Sequence, residues 1–270
     1  IPDIGPLVGQ ISGPAGVSGT ANRSAIGWQI DTRATGPSGT EASVAGLVRN
    51  DGTLGLDIAG SAPLGLSRPF ITPRDLQGLA EFDLSLNGAA ALSSLSGAIR
   101  MRGARFTAPN LRVSLEDIGA DIRLGGNRAQ LTVNGAGTDG GRVDVSGSAT
   151  LGGRRPADLR IELNAQTLTD PRLYRTSLDG SLQVVGPLTG GARVGGQISV
   201  GETVVNVPSS GLTSIGDVPA ISHIGSTRPV ISTRRRAGLE INTSEVEGAA
   251  ASQNPFRLDI AVNAPNRIFV

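Results

Sequence analysis

Cysteine and lysine are both absent from this chain of 270 residues. Without Cys there can be no disulfide, no thiol nucleophile and no zinc–thiolate site. Without Lys there is no phosphate-loop lysine, no Schiff base and no lysine general base. All 24 basic residues are Arg. The one histidine, His223, lies between Ser222 and Ile224 in an irregular stretch with no G-x-S-x-G elbow. It reads as a loop histidine rather than a catalytic one. Aromatic residues make up only 3%, with one Trp, one Tyr and five Phe. Large aromatics usually supply much of a core's buried area, so Val, Leu, Ile and Ala must do so here. No apolar run approaches the roughly 18–20 residues of a membrane span. The formal net charge of +1 gives no strong field to draw nucleic acid or a membrane surface. No nucleic-acid partner is expected.

Glycine, by contrast, is abundant, at 39 residues, about twice the usual share and suited to a turn-dense β protein. The stretch from Arg142 to Asn206 shows the pattern most clearly. Val143 and Val145, then Leu159, Ile161 and Leu163, then Leu182 and Val184, then Ile198 and Val200 alternate with polar residues. Strict alternation puts one set of side chains on one face of a strand. Gly152-Gly153, Pro171, Asp179-Gly180, Gly186-Pro187 and Gly190-Gly191 read as the turns between them.

Strand candidates recur every roughly 10–15 residues, the spacing of an antiparallel meander. The segment before Gly46 is the least regular. Residues 13–19 read as a loop and 25–30 as a strand. Asn50-Asp51-Gly52 is the clearest hairpin signal, joining residues 44–49 to the alternating Leu54, Leu56 and Ile58. Pro63, Pro69 and Pro73 exclude a central strand and mark a crossover near 61–77, with Pro73-Arg74-Asp75-Leu76 as a short helical start. The division expected is a repetitive β-groove over 1–206, an irregular crossover or flexible loop over 207–254, and return strands over 255–270. The chain starts at Ile1 and ends in Ile268-Phe269-Val270, and is read as an excerpt of a longer protein, truncated at its C-terminus and carrying no signal peptide.

The remaining candidate sites have plain readings. Gly135-Ala136-Gly137-Thr138-Asp139-Gly140 resembles one copy of a glycine–aspartate calcium repeat. Such sites need stacked copies, so a hairpin turn is expected. Arg234-Arg235-Arg236 could meet anionic headgroups, but Glu240, Glu245 and Glu247 offset it and a solvated loop is the simpler reading. Asp144, Asp158 and Glu162 fall on alternating polar positions, as on a solvated face. No catalytic residue, metal site or cofactor is expected, and the chain reads as a non-enzyme. The informative feature is collective: many strands share one apolar face, with no helical layer to cover it. A sandwich would bury that face against a second sheet; an open sheet would leave an apolar gutter, which normally marks a binding surface.

Two stretches, Ser181-Leu182-Gln183-Val184-Val185-Gly186-Pro187-Leu188 and Val194-Gly195-Gly196-Gln197-Ile198-Ser199-Val200-Gly201-Glu202, together with the closing 258–270, resemble the C-terminal domain of the TamB family. The resemblance covers roughly 140–270; the first half shares only strand pattern and composition. It implies membership of the AsmA-like bridge-like lipid-transfer proteins. Their fold is an all-β, long, mainly antiparallel sheet curled into an open half-pipe (a β-taco) with an apolar groove. It further implies a periplasmic location within an inner-membrane-anchored protein, the anchor lying outside this chain. The implied cargo is phospholipid acyl chains, with nascent outer-membrane proteins and autotransporters as further clients. A TamA-like outer-membrane barrel would be met through regions beyond this excerpt. The groove residues expected from alternation are Leu84, Leu86, Ile122, Leu124, Leu131, Val133, Val143, Val145, Leu159, Ile161, Leu163, Leu182, Val184, Ile198, Val200, Leu258 and Ile260. The competing reading is a secreted parallel β-solenoid, an adhesin passenger or a polysaccharide-acting enzyme. The scarcity of aromatics and the lack of Lys weigh against it.

Overall fold

The structure is a computed structural model, and it describes residues 11–153, 155–170, 173–187, 191–206, 256–265 and 268–269. Its strands are β1 (Gly16–Ser24), β2 (Gly27–Gly36), β3 (Thr40–Arg49), β4 (Leu54–Pro63), β5 (Asp75–Gln77), β6 (Leu79–Gly88), β7 (Leu95–Ala108) and β8 (Val113–Gly125). They continue as β9 (Arg128–Gly137), β10 (Arg142–Thr150), β11 (Pro156–Asp170), β12 (Tyr174–Pro187), β13 (Ala192–Val205), β14 (Phe256–Asn263) and β15 (Ile268–Phe269). All belong to one sheet of 15 strands, running β1-β2-β3-β4-β6 and then in chain order to β14. Off this path, β5 pairs with β7 and β15 with β13. The sheet is long and not closed, consistent with the expected open half-pipe.

Pairing along the path is antiparallel from β1 to β13. Only β14 and β15 run parallel to their neighbour β13. A parallel solenoid has the opposite pattern, so that reading is set aside. The hairpin at 50–52 forms as its residues dictate. Gly52 takes φ +82, its N–H donates to Arg49 O at 3.0 Å, and the Asp51 carboxylate accepts from Thr53 N and Oγ1 at 2.9 and 2.7 Å. The glycine-aspartate stretch at 135–140 likewise closes a hairpin between β9 and β10, with Gly140 N–H donating to Gly137 O at 3.0 Å.

Four local expectations are corrected. Residues 16–19 are not a loop but half of β1, whose backbone pairs with β2 from Gly16↔Thr35 onward. An edge strand is held by its ladder and needs no apolar alternation; Val17 is 72% exposed. Ala25 and Ile26 form the β1–β2 turn rather than a strand. Asp179-Gly180 is not a turn but lies inside β12, opposite a bulge in β11 between Leu163 and Gln166. There Ala165 takes φ +47, and its N–H donates to Asp179 Oδ1 at 2.7 Å. Gly180 is needed because a Cβ would run into Gln197 O and Ile198 Cα of β13.

The helical turn lies before Pro73, at Leu64–Ser67 and Arg68–Ile71, not after it. Pro69 suits the first turn of a helix, and Thr72, preceding Pro73, is biased out of the helical region. Asp75–Gln77 is the short β5. The excursion from 64 to 78 does not split the sheet, since β4 and β6 pair directly. The irregular region expected over 207–254, with His223 and Arg234-Arg235-Arg236, lies outside the described residues.

Among the described residues the buried apolar residues are small or few: Ala104, Ala108, Ala120, Ala129, Ala157 and Ala192, with Ile118 and Val184. Among the described residues, no large side chain falls below 2% exposure. A two-sheet sandwich of this size would bury its inner Leu and Ile side chains between layers. Here they stay half-buried on a single layer.

Candidate functional site: a continuous apolar face

The face is assembled by register. Opposed residues in a ladder project to the same side, so each apolar residue can be followed across the sheet. One row runs Phe82, Ile99, Ile122, Leu131, Gly147, Leu159, Val184, Val194, Leu258 as successive partners from β6 to β14. The next runs Met101, Ala120, Val133, Val145, Ile161, Leu182, Gly196, Ile260. A third joins Val143, Leu163, Gly180 and Ile198. Leu84 and Leu86 join the face through Gly97 and Leu95, and Leu124 through Gly97. Val200 lies opposite Leu178, which pairs with Gln166. All seventeen residues named from the sequence therefore share one side of the sheet.

Burial follows the same parity. Leu159, Ile161 and Leu163 are half-buried, while Asp158, Arg160 and Glu162 between them are exposed. The contrast weakens at the β14 edge, where Leu258 is 69% exposed.

The face is wider than alternation alone suggested. Val44 pairs with Ile58 and then Leu84; Ile30, Gly46 and Leu56 lead to Leu86. The signal was present in Leu54, Leu56 and Ile58, but only register ties them to the later strands. Trp28 reaches the same side through Val48, with the Arg23 guanidinium 5.9 Å from its ring centroid.

One end of the face changes character. Past the β11 bulge, Gln166, Leu168 and Asp170 take the positions that would continue Leu163. Gln166 and Asp170 are each 3% exposed. Asp170 Oδ2 is 3.0 Å from Arg112 Nη2, and Thr176 and Thr203 hydroxyls meet at 2.8 Å. Arg112 comes from the β7–β8 turn, with φ +52. The pair thus ties the ends of β8 and β11 across the shorter β9–β10 hairpin. Sequence gave no warning of this, because the bulge that redirects the strand is set by the φ of Ala165.

The opposite side is polar. Its pairs Arg100–Asp121 at 3.8 Å and Arg160–Glu162 at 3.9 Å are long and exposed, and such pairs stabilise little. Among the described residues there is no group of three or more acidic or His side chains placed to hold a metal, and no helix long and apolar enough to cross a membrane.

Among the described residues the strands form a single, mainly antiparallel layer with one long apolar face. The family model of the TamB C-terminal domain matches residues 33–213, and the chain belongs to the TamB family. The match reaches back to β2, well before residue 140 where the sequence resemblance began, and stops short of the closing 258–270. Neither a curated protein nor a solved structure matches the chain. Family membership gives it a TamB-like role in outer-membrane assembly or lipid transport.

Proposed function

We propose that the apolar face is a non-enzymatic conduit on which phospholipid acyl chains lie as they cross the periplasm between inner and outer membranes. The observation that carries this is the half-exposure of Leu and Ile along the face, with no large side chain fully buried among the described residues. A folded sheet that leaves so much apolar surface uncovered gains stability when apolar cargo covers it. Acyl chains fit because the face is continuous across strands and makes no directional demand. In the whole protein, the scaffold would be tethered to the inner membrane and would work with a TamA-like barrel at the outer membrane.

Extended strands of nascent outer-membrane proteins are the second cargo, favoured by one feature: their alternating apolar side chains match an alternating apolar face. Organic extraction and mass spectrometry of the purified chain test the reading. Stoichiometric phospholipid is expected; a lipid-free chain that also takes up none from micelles overturns it.

A further inference from the structure

The meander places alternate turns along two opposite rims of the apolar face, and the rims differ in charge. One rim holds the turns after β2, β4, β7, β9 and β11. There four arginines are matched, Arg105 with Glu116 at 3.7 Å, Arg112 with Asp170 at 3.0 Å, Arg142 with Asp144 at 3.4 Å, and Arg68 with Asp75 at 2.9 Å, while Arg74, Arg102 and Arg175 have no carboxylate within 4.0 Å among the described residues. That rim's turns and strand ends also contain Glu41, Asp117 and Asp139.

The opposite rim holds the turns after β1, between β3 and β4, between β8 and β9, and between β10 and β11, where the chain reverses at the other end of each strand. Among the described residues its turns carry Arg23, Arg49, Arg128 and Arg155, all exposed, and one acid, Asp51; Arg193, at the start of β13, is matched by Asp259. None of the four turn arginines has a carboxylate partner within 4.0 Å among the described residues. Asp51 already accepts two hydrogen bonds from Thr53. Arg23 stands on the apolar side itself, in the row of Trp28, Val48 and Leu54. Arg49 and Arg128 occupy terminal positions of β3 and β9, next to the apolar-side Val48 and Ala129. The turns are also tied to one another. Asn50 Nδ2 donates to Ala25 O at 3.0 Å, and Leu151 N donates to Asn127 O at 3.0 Å.

We infer that this cationic rim is a headgroup rail, binding the phosphodiester of glycerophospholipids whose acyl chains lie on the adjoining apolar face. Unpaired guanidinium groups suit phosphoryl oxygens through paired N–H donors. A rail along one rim sets every lipid in one orientation, chains inward and phosphate to the same side. The opposite rim offers a weaker field, because carboxylates, both the paired ones and Glu41, Asp117 and Asp139, lie among its arginines. The inference rests on the acyl-chain reading above and adds to it a demand on the headgroup.

The test offers the chain phosphatidylglycerol and diacylglycerol with identical acyl chains, in equal amounts from detergent micelles, and measures bound lipid by mass spectrometry. Wild type is expected to prefer the phospholipid on the order of tenfold, at about fivefold per arginine near an anionic group less screening. The triple variant Arg49→Gln, Arg128→Gln, Arg155→Gln should lose the preference while binding diacylglycerol as before, with an unchanged thermal melt. The opposite-rim variant Arg105→Gln should keep it. Equal binding of both lipids by wild type, or a preference retained in the triple variant, overturns the rail and leaves the apolar conduit standing. Binding of neither lipid overturns both.

Discussion

Replacing Ile161 by arginine puts one charge in the middle of the apolar face. Ile161 is half-buried, with Val145 and Leu182 opposite it on β10 and β12, and Leu159 and Leu163 on the same side of its own strand. Thirteen strands lie on the continuous path, so the face runs for about 58 Å at ~4.8 Å per strand spacing. Cargo crossing it must pass β11. A cation facing hydrocarbon costs about 2–4 kcal/mol in a membrane barrel. That corresponds to a loss of occupancy at β11 of roughly 30- to 1,000-fold.

The effect on folding should be much smaller. Full burial of an Ile side chain contributes about 1.5–3 kcal/mol, and Ile161 is only half-buried, so about 1 kcal/mol is at stake. Arginine recovers part of this by laying its aliphatic stem on Val145 and Leu182 while its head turns to water. The melting temperature should fall by about 2–4 °C. The control is Glu162→Arg, one residue along and on the polar side, where the side chain is already 51% exposed. A photoreactive residue at Leu131 or at Ile198, on either side of β11, reports lipid passage by crosslinking. Ile161→Arg should lose the crosslink on the far side from the lipid source, and Glu162→Arg should keep both. Loss in both variants, or in neither with melts unchanged, would refute the conduit. A collapsed melt for Ile161→Arg would mean that the face is an ordinary core, covered when folded.

Gly147 takes φ +145 in β10, and a Cβ there would meet Asp158 O and Leu159 Cα of β11, so Gly147→Ala should cost about 1–3 kcal/mol in chemical denaturation. Gly65→Ala, where a Cβ meets nothing within 4 Å, is the neutral control. Asp170→Asn removes the charge that holds Arg112. Since the Arg112 side chain is 53% exposed and can return to water, a loss of about 1–2 kcal/mol is expected rather than the ~3–5 of a fully buried pair. Hydrogen exchange should rise first at the β7–β8 and β11–β12 turns. The Asp75 carboxyl is held below the ordinary range, first by the hydrogen bond from Arg68 and then by that from Gln77. A depressed folded value means the contribution is present above the unfolded value and is lost as pH falls through the folded one. An NMR titration should therefore show the 64–78 excursion loosening only at acid pH below the usual carboxylate midpoint, and Arg68→Gln should move the Asp75 midpoint upward.

Alternation alone located the strands from β6 to β13, because a half-buried sheet imposes a period of two on every strand. The Asn-Asp-Gly hairpin was legible because its φ requirement selects its residues. What escaped had no such local cause. β1 carries Val17 and Ala21 among Gly, Ser, Thr and Arg; its place depends on the edge offered by β2. Gly180 looks like a turn residue from sequence, yet it answers to the backbone of β13. The polar end at Gln166 and Asp170 follows from one bulge, whose cause is tertiary. The face was legible as a list of residues, but its extent needed register. Val44, Leu56 and Phe82 belong to the same side as Ile161 only because ten consecutive ladders preserve parity from β3 to β14.

That parity also accounts for how the face can be long. In a meander each strand packs against its two neighbours and little else, so stability accumulates strand by strand, as in a solenoid. A compact domain grows a core that must be sealed; this sheet grows a surface that stays open. Every hairpin adds two strands, returns the chain to the same rim and leaves apolar side chains on the same side. Glycines such as Gly147 and Gly180 interrupt the apolar rows without reversing parity, at positions where a Cβ would run into the backbone of the next strand. Bulges are the one device that can change the surface locally, and β11 uses one where the apolar face gives way to the Arg112–Asp170 tie. Length, openness and a polar end therefore come from one rule, antiparallel pairing at fixed parity, with register shifts in the β7–β8, β8–β9, β11–β12 and β12–β13 ladders clustered at the end where the apolar rows stop.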